Sequence, residues 1–290
     1  MKNKILAFLK QPYPFYYRGS ELVVFMMVVF AMALFFNYSF EPFHVNRSEH
    51  KMDYFWISVI HSLSPVVVVL LLSGILGLRK KLSDDWNLKK ELLFFFWLLL
   101  LTGITQFLLR DLIYDNNNNW SWNYLKEEVS NTLLVGILFA AIIIPLNLNR
   151  LLLKNQKKAQ EISKNLPAVN KPDSKNLAIE ARVKSDHFNL DPNRFLYAKA
   201  DGNYLEIYTV EGHNTNKQVK RITLKDLENQ LKDFLWIVKT HRSYLVNLKY
   251  LEAVNGNAQG YRLTLKHIPE SIPVSRYSIA SFESSLKAHC

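Results

Sequence analysis

Residues 195–209 read FLYAKADGNYLEIYT, and they contain the clearest local pattern in the C-terminal part of the chain. Two runs of β-forming residues flank the tripeptide Asp201-Gly202-Asn203, which is typical of tight hairpin turns because glycine and asparagine tolerate a positive φ. The second run, residues 204–210, alternates apolar and polar side chains, as does a strand with one buried face. The pattern therefore predicts a β-hairpin.

Further short strands and two small helices are predicted on the C-terminal side of this hairpin. The strand candidates are residues 217–223, 236–239, 244–246, 252–254, 261–265 and 272–274. One helix is predicted to begin after Thr223 as its N-cap, and a closing helix is predicted to begin at Ser278. The tripeptide Asn255-Gly256-Asn257 is interpreted as another turn. Residues 177–290 are thus predicted to form a mostly-β domain with one or two short helices.

Four motifs give this domain a specific resemblance. They are FLYAKADGNYLEIYT (195–209), TLKDLENQL (223–231), THRSYLVNL (240–248) and IPVSR (272–276). In this order they resemble the LytTR family of DNA-binding domains, and the resemblance covers residues 177–290. It implies an elongated β fold rather than a helix-turn-helix. It also implies sequence-specific DNA binding through loops that enter successive major grooves, and transcription regulation of the kind seen in bacterial response regulators.

The resemblance further implies which residues contact DNA. The predicted DNA-binding residues are Asn203, Tyr204, Lys220, Arg221, Thr223, Lys225, Lys239, Arg242, Ser275, Arg276 and Tyr277. An arginine can donate two hydrogen bonds to guanine or to a phosphate, an asparagine can pair with adenine, and lysines suit phosphates. Thr223 is either a DNA contact or a helix cap, and Arg242 is either a DNA contact or a structural residue.

A structural motif is predicted within HRSYLVN (241–247). Its members are His241, Ser243 and Asn247. Hydrogen bonds from His241 and Asn247 would hold the junction between two strands, with DNA contact as the alternative for these two residues.

Residues 150–176 are predicted to form a basic juxtamembrane linker, because lysines and arginines outnumber acids there by 7 to 2. A basic segment beside a membrane attracts anionic lipid, and it also attracts nucleic acid phosphates. Its first part continues a helix in which every third or fourth residue follows a coiled-coil spacing: Leu148, Leu152, Asn155, Ala159, Ile162 and Leu166. This part is interpreted as a solvated juxtamembrane helix or as a dimerising stalk, and residues 167–175 as a flexible tether.

The linker is preceded by four apolar stretches that contain no Asp, Glu, Lys or Arg. They cover residues 22–40, 54–78, 92–109 and 129–149. A helix of about 20 apolar residues crosses a bilayer. Residues 1–149 are therefore predicted to form an α-helical membrane domain with four spans. A polar patch around His61 in the second span is interpreted as packing rather than chemistry.

The flanks of the spans predict the orientation of the membrane domain. Basic residues are concentrated before the first span, between the second and third, and after the fourth: Lys2, Lys4, Lys10, Arg18, Arg79, Lys80, Lys81, Lys89, Lys90, Arg150, Lys154, Lys157 and Lys158. The positive-inside bias then places these flanks in the cytoplasm. The predicted location is the cytoplasmic (inner) membrane, multi-pass, with N- and C-termini cytoplasmic.

Several classes of protein are excluded by the motifs. The single cysteine, Cys290, allows neither an intramolecular disulfide nor a cysteine-cluster zinc site. The sequence contains no glycine-rich phosphate loop and no nucleophile–base arrangement, so no catalytic residue, metal, cofactor or enzyme activity is predicted.

Two functions remain. The first is a membrane-tethered transcription regulator whose membrane half is a sensor or an anchor. The second is a membrane-bound protein-interaction module whose β domain no longer binds DNA. The predicted partners are double-stranded DNA, the lipid bilayer, a second copy in a homodimer and a membrane partner protein.

Overall fold

The computed structural model describes residues 2–41, 47–78, 82–83, 85–166, 176–181, 184–212 and 214–289. The chain divides into two compact units, Met1–Leu148 and Asn149–Cys290. The predicted tether at 167–175, the basic residues Arg79, Lys80 and Lys81, and Cys290 lie outside the described residues. The three-part division of the chain at 149–150 and 176–177 stays a prediction.

The first unit is helical. A short helix, α1 (Lys2–Leu9), precedes the long helices α2 (Gly19–Phe40), α3 (Tyr54–Gly77), α4 (Leu88–Ile113) and α5 (Trp122–Lys164), the last of which continues into the second unit. Each of α2 to α5 is long and apolar enough to cross a bilayer. The predicted four-span helical fold is confirmed.

Several polar side chains inside this unit are paired within it. Ser58 and Ser62 donate to backbone carbonyls one turn back, at 2.9 and 2.6 Å. A buried ion pair joins α4 to α5, with 2.5 Å between Arg110 Nη1 and Glu128 Oε1. The Arg110 guanidinium also lies 3.7 Å from the centre of the Tyr124 ring. Such pairing offsets the cost of removing charges from water.

The described residues of the second unit form ten strands and two complete helices after the end of α5. Their bounds are β1 (Leu177–Ile179), β2 (Phe188–Leu190), β3 (Phe195–Asp201), β4 (Tyr204–Glu211), β5 (Asn214–Lys220), α6 (Leu224–Gln230), β6 (Ile237–His241), β7 (Tyr244–Asn247), β8 (Leu251–Asn257), β9 (Gly260–Leu265), β10 (Ile272–Val274) and α7 (Ile279–His289). The mostly-β fold with two short helices is confirmed.

These strands form three antiparallel sheets: β1-β2, β5-β4-β3-β7-β6 and β10-β9-β8. The five-stranded sheet contributes to two apolar cores because successive residues of a strand point to opposite faces. Leu245 of β7 packs in the core that contains α6, and the next residue, Val246, packs in the core that contains α7. The five-stranded sheet is therefore the central layer, with α6 packed on one face and α7 and the three-stranded sheet packed on the other.

The predicted turn at Asn255-Gly256-Asn257 is wrong. These three residues are the last three of β8, and the connection to β9 is made by Ala258 and Gln259. Asn257 supports that connection, since its Oδ1 accepts hydrogen bonds from the backbone N–H groups of Gln259 and Gly260 at 2.9 and 3.0 Å. Gly256 is not a turn residue; it lies where another backbone approaches β8.

The approaching backbone is the end of α5, which belongs to the second unit from Asn149 onward. Asn155 donates from Nδ2 to the Asn257 carbonyl oxygen at 2.6 Å. Ala159 is 1% exposed, and Ile162 and Leu166 pack against the same apolar core as β8 and β9. The interpretation of this segment as a solvated juxtamembrane helix is therefore wrong for the face that carries these residues.

Candidate nucleic-acid interface

The strand register brings one end of every strand of the five-stranded sheet into a single row. At the β3–β4 turn, Asp201 pairs with Tyr204, and the end of β5 is adjacent because Lys220 pairs with Leu205. On the other side, Lys199 of β3 pairs with Tyr244, the first residue of β7. The residues that the sequence assigns to separate turns thus lie at the same end of one sheet.

The β6–β7 turn completes this row. His241 at the end of β6 pairs with Tyr244, so Arg242 and Ser243 form the connection. The Ala200 N–H donates to the Ser243 carbonyl at 2.9 Å, which joins this turn to the end of β3. We refer to this edge, made of the β3–β4 turn, the end of β5, the β6–β7 turn and the turn after β10, as the basic end.

The turn after β10 reaches the basic end through a backbone contact. The Ser275 N–H donates to the carbonyl oxygen of Thr240, one residue before the end of β6, at 2.7 Å. The Ser275 hydroxyl also lies 2.8 Å from the Ser278 hydroxyl. Arg276 is consequently held beside the β6–β7 turn that carries Arg242, although 33 residues separate them in the sequence.

Two residues of the predicted set are notable for their exposure. Tyr277 is 83% exposed and Tyr204 is 52% exposed, although large aromatic side chains are usually covered. Asn203 is also exposed, and it follows Gly202, whose φ of 58° makes the tight β3–β4 turn possible. These side chains are accessible to a macromolecular partner.

The remaining predicted contacts differ in how far they are already engaged. Thr223 is the N-cap of α6, because its side chain accepts a hydrogen bond from the Asp226 N–H at 3.1 Å. Lys239 donates to Glu228 Oε2 at 2.6 Å. Arg221 and Lys225 are exposed, at the end of β5 and in the first turn of α6.

Two residues of the predicted structural motif, His241 and Asn247, are buried at the ends of β6 and β7, and the third, Ser243, lies in the β6–β7 turn. Asn247 is 0% exposed, and its Nδ2 donates to the carbonyl oxygens of Pro192 and Phe195 at 3.2 and 2.8 Å. Its Oδ1 accepts from the Lys249 N–H at 2.9 Å. His241 is buried, and its Nδ1 accepts from the Ser243 N–H at 3.2 Å. The Asn247 side chain therefore links β7 to the start of β3 by hydrogen bonds.

Thr240 is a positioning residue that the sequence did not indicate. It is fully buried, and its backbone oxygen is the acceptor that joins the turn after β10 to β6. Nothing in THRSYL marks this role, because the contact joins segments that are 35 positions apart. Only a known pairing of the two sheets would have revealed it.

The electrostatics of the basic end combine cations with a few acids. Six of the eleven predicted residues are Lys or Arg, while Asp201 at the β3–β4 turn is an exposed acid. Farther along β4, Lys217 hydrogen-bonds Glu206 and holds the pKa of that carboxyl below its usual value. Lys220, Arg221, Arg242 and Arg276 are the cations of the basic end itself, whereas Lys217, on the sheet surface, is paired with an acid.

The size of the row suits duplex DNA. Neighbouring strands lie about 4.8 Å apart, so the four gaps from β5 to β6 span roughly 19 Å. The major groove of B-DNA is about 12 Å wide. A row of this length can therefore present some side chains to the bases in a groove and others to the phosphates beside it. In the part of the chain that the structure describes, no group of His, Cys, Asp or Glu side chains is arranged to hold a metal ion.

Comparisons with known proteins bear on this surface. Residues 185–287 match the family model of the LytTr DNA-binding domain. A search of the curated proteins finds no match. Among solved structures, the chain is similar to the LytTr DNA-binding domain of a Bacillus cereus protein described as a methyl-accepting/DNA response regulator. The identity is 21%, the match covers 40% of this chain and 98% of that one, and the TM-score is 0.30. The family model, rather than this likeness, carries the assignment.

Proposed function

Residues 185–287 form a LytTR DNA-binding domain, and from this premise we propose that the chain is a membrane-tethered transcription regulator that reads a specific DNA sequence with its basic end. The observation that carries this proposal is the convergence of the predicted contacts. Four separate segments bring Asn203, Arg221, Arg242 and Arg276 to the ends of adjacent strands.

The chemistry of these groups divides into two tasks. Arg276 and Asn203 are the side chains that we assign to base edges, because they can make paired hydrogen bonds to guanine and adenine in the major groove. Arg221 and Lys225, exposed at one flank of the row, are assigned to phosphates, which fix position and carry no sequence information directly. Tyr277, beside Arg276, is assigned to the groove wall.

We also propose the role of the membrane half. The apolar helices α2 to α5 support a protein that crosses the inner membrane several times. The basic flanks support N- and C-termini on the cytoplasmic side of that membrane, which is the side where DNA is found. The membrane unit then acts as a sensor or an anchor, with lipid and a membrane partner protein as its contacts. No enzymatic role is proposed for either unit.

Selection on a randomised duplex library tests the proposal. The full chain, reconstituted in lipid nanodiscs, is compared with Arg276→Ala and with the matched control Arg194→Ala. Arg194 is an exposed arginine immediately before β3, at the opposite end of the same sheet. We expect the wild type and Arg194→Ala to enrich the same motif, and Arg276→Ala to lose preference at one or two positions.

The salt dependence of binding separates the two assignments of Arg276. If Arg276 holds a phosphate, its removal reduces the slope of log K against log salt by about one and leaves the motif unchanged. If it reads a base, the slope is retained and the preference is lost. If no motif is enriched by the wild type at any salt concentration, the chain is instead a membrane-bound protein-interaction module.

A further inference from the structure

One face of the C-terminal part of α5 packs against the β domain. The residue spacing on the same face is also that of a helix that pairs with a second helix. Leu152, Asn155, Ala159, Ile162 and Leu166 follow steps of three and four residues, which is the spacing of a coiled-coil seam. In the second unit Asn155, Ala159 and Ile162 of α5 face the β domain, as does Leu166, two residues after the helix ends. The residues that would pair with a second helix are therefore the residues that pack on the chain's own sheet.

The contacts at this face are specific rather than a loose apolar covering. The Ser163 hydroxyl donates to the Val254 carbonyl at 3.1 Å and accepts from the Val254 N–H at 2.9 Å. Val254 lies in β8, the edge strand of the three-stranded sheet, so α5 satisfies edge groups that otherwise have no strand partner. Lys158 adds an ion pair with Glu283 of α7 at 3.8 Å.

Gly256 shows how closely the two backbones approach. A Cβ built on this glycine would lie 2.3 Å from the backbone carbon and oxygen of Asn155 and 2.4 Å from the nitrogen of Gln156. A side-chain rotation cannot relieve such a clash, because the opposing atoms are helix backbone. β8 cannot yield easily either, since it is paired with β9 over six residue pairs. Glycine at 256 is thus a requirement of the docked helix.

We propose that this docking masks a dimerisation surface, so that residues 152–166 either pack on β8 or form a parallel coiled coil with the same segment of a second copy. The two states exclude each other because both bury Ala159 and Ile162. A parallel arrangement follows from the shared membrane, since both copies leave the bilayer in the same direction. The inference deepens the proposed function by naming the surface that regulates it.

The consequence for DNA binding is a change in valency. In the docked state each chain presents one basic end to DNA. In the paired state two basic ends are linked, and the second contact becomes intramolecular, which raises apparent affinity for paired half-sites without any new contact. A signal that releases the helix from β8 would therefore strengthen binding to two sites and leave binding to one site unchanged.

Thiol labelling and disulfide formation, measured on the full chain in membranes, test whether the docked and paired states exclude each other. Because the assay contains no DNA, a negative result is distinguishable from a failure to bind DNA. Cys290→Ser removes the single native cysteine, and Ala159→Cys provides the reporter, with Ile162→Cys as a second reporter position. In the docked state the reporter thiol is protected from maleimide and forms little inter-chain disulfide.

Gly256→Ala is the perturbation, because it displaces the helix without altering any residue of the seam. Asn255→Ala is its matched control, since Asn255 is the preceding residue of β8 and is exposed. We expect Gly256→Ala to raise maleimide reactivity and inter-chain disulfide several-fold at either reporter, and Asn255→Ala to change neither. Gly256→Val applies the same clash more strongly if the reporter stays protected in Gly256→Ala.

A second substitution identifies the surface that pairs. Ile162→Asp in the Gly256→Ala background places a charge in the seam and should abolish the disulfide at Ala159→Cys, whereas Gln160→Asp, on the exposed face, should not. Three results would overturn the proposal. They are a reporter that stays protected even in Gly256→Val, a reporter that becomes reactive without inter-chain disulfide, and an inter-chain disulfide that is equally strong without any substitution at Gly256 or that Ile162→Asp does not reduce.

Discussion

Replacing Asn247 by alanine is expected to destabilise the β domain strongly and to leave DNA recognition by the folded protein intact. The Asn247 side chain is fully buried and makes three hydrogen bonds, two to backbone carbonyls and one from a backbone N–H. These bonds tie β7 to the segment around Pro192 and Phe195 and to the residues that follow β7. Alanine has no side-chain donor or acceptor, so the two carbonyl groups and the N–H group all lose the partner that Asn247 provides.

The magnitude follows from those three groups. A buried polar group left without its partner costs about 1–3 kcal/mol, and the three together give about 3–6 kcal/mol when partial relaxation is allowed for. A typical domain is stable by only about 5–15 kcal/mol. Since each 1.4 kcal/mol corresponds to about a tenfold change in an equilibrium constant, the open state of β3 and β7 should be populated at least about a hundredfold more.

Hydrogen exchange of the full chain in nanodiscs, read on peptides from β3 and β7, measures this opening. Asn255→Ala is the control, because an exposed asparagine should change stability by no more than about 0.5 kcal/mol. Affinity for the selected DNA motif is measured in parallel, at a temperature where the variant is folded. The reasoning is refuted if protection falls by less than tenfold, or if DNA affinity is lost while protection is retained.

Three further predictions concern charges and caps around the same sheet. Glu228→Gln removes the acid that holds Lys239; if Lys239 then contacts a phosphate, the slope of log K against log salt becomes steeper by about one, which a binding titration at several salt concentrations checks. Thr223→Ala removes the cap of α6 and should lower stability by about 1 kcal/mol without changing the selected motif, as hydrogen exchange and library selection would show. The pKa of Glu206 is lowered in the folded chain by its hydrogen bond from Lys217. The stability that Glu206 contributes is therefore present above its unfolded pKa near 4.5 and is lost as the pH falls through its folded pKa. Lys217→Met should make hydrogen exchange in β4 and β5 less dependent on acid pH.

The elements that the sequence predicts well are those with a local physical signal. All four long helices overlap the apolar stretches, because a bilayer span needs a continuous run of apolar residues irrespective of its neighbours. The hairpin at Gly202 and the helix that begins after Thr223 are equally local, since a positive φ and a side-chain cap involve residues at most three positions apart.

The elements that the sequence predicts poorly depend on contacts between distant segments. A span defined by the absence of charge ends before Arg110 and begins after Glu128, yet both helices continue and bring these two charges together. Gly256 is flanked by two asparagines, which favours a turn, but it lies in a strand because a helix backbone passes beside it. In both cases the deciding partner lies at least 18 residues away.

The candidate site shows the same division. The sequence supplies the residue types, because Arg276 and Asn203 lie in motifs that are readable in a single chain. It does not supply their convergence, which arises from antiparallel register and from the hydrogen bond between Ser275 and Thr240. Nor does it reveal that Lys239 is engaged by an acid from α6. The residues of a surface can therefore be predicted locally, while the surface itself is a product of the fold.

The seam of α5 gives this division its strongest form. A heptad spacing indicates that one face of a helix is apolar and buried, but it does not indicate what covers that face. Here the covering surface is β8, and the glycine at 256 and the hydroxyl of Ser163 are the residues that commit the helix to it. A second copy would have to break those contacts before it could use the seam. The monomeric and paired states are therefore separated by identifiable bonds, and the balance between them can be shifted by changing Gly256 alone.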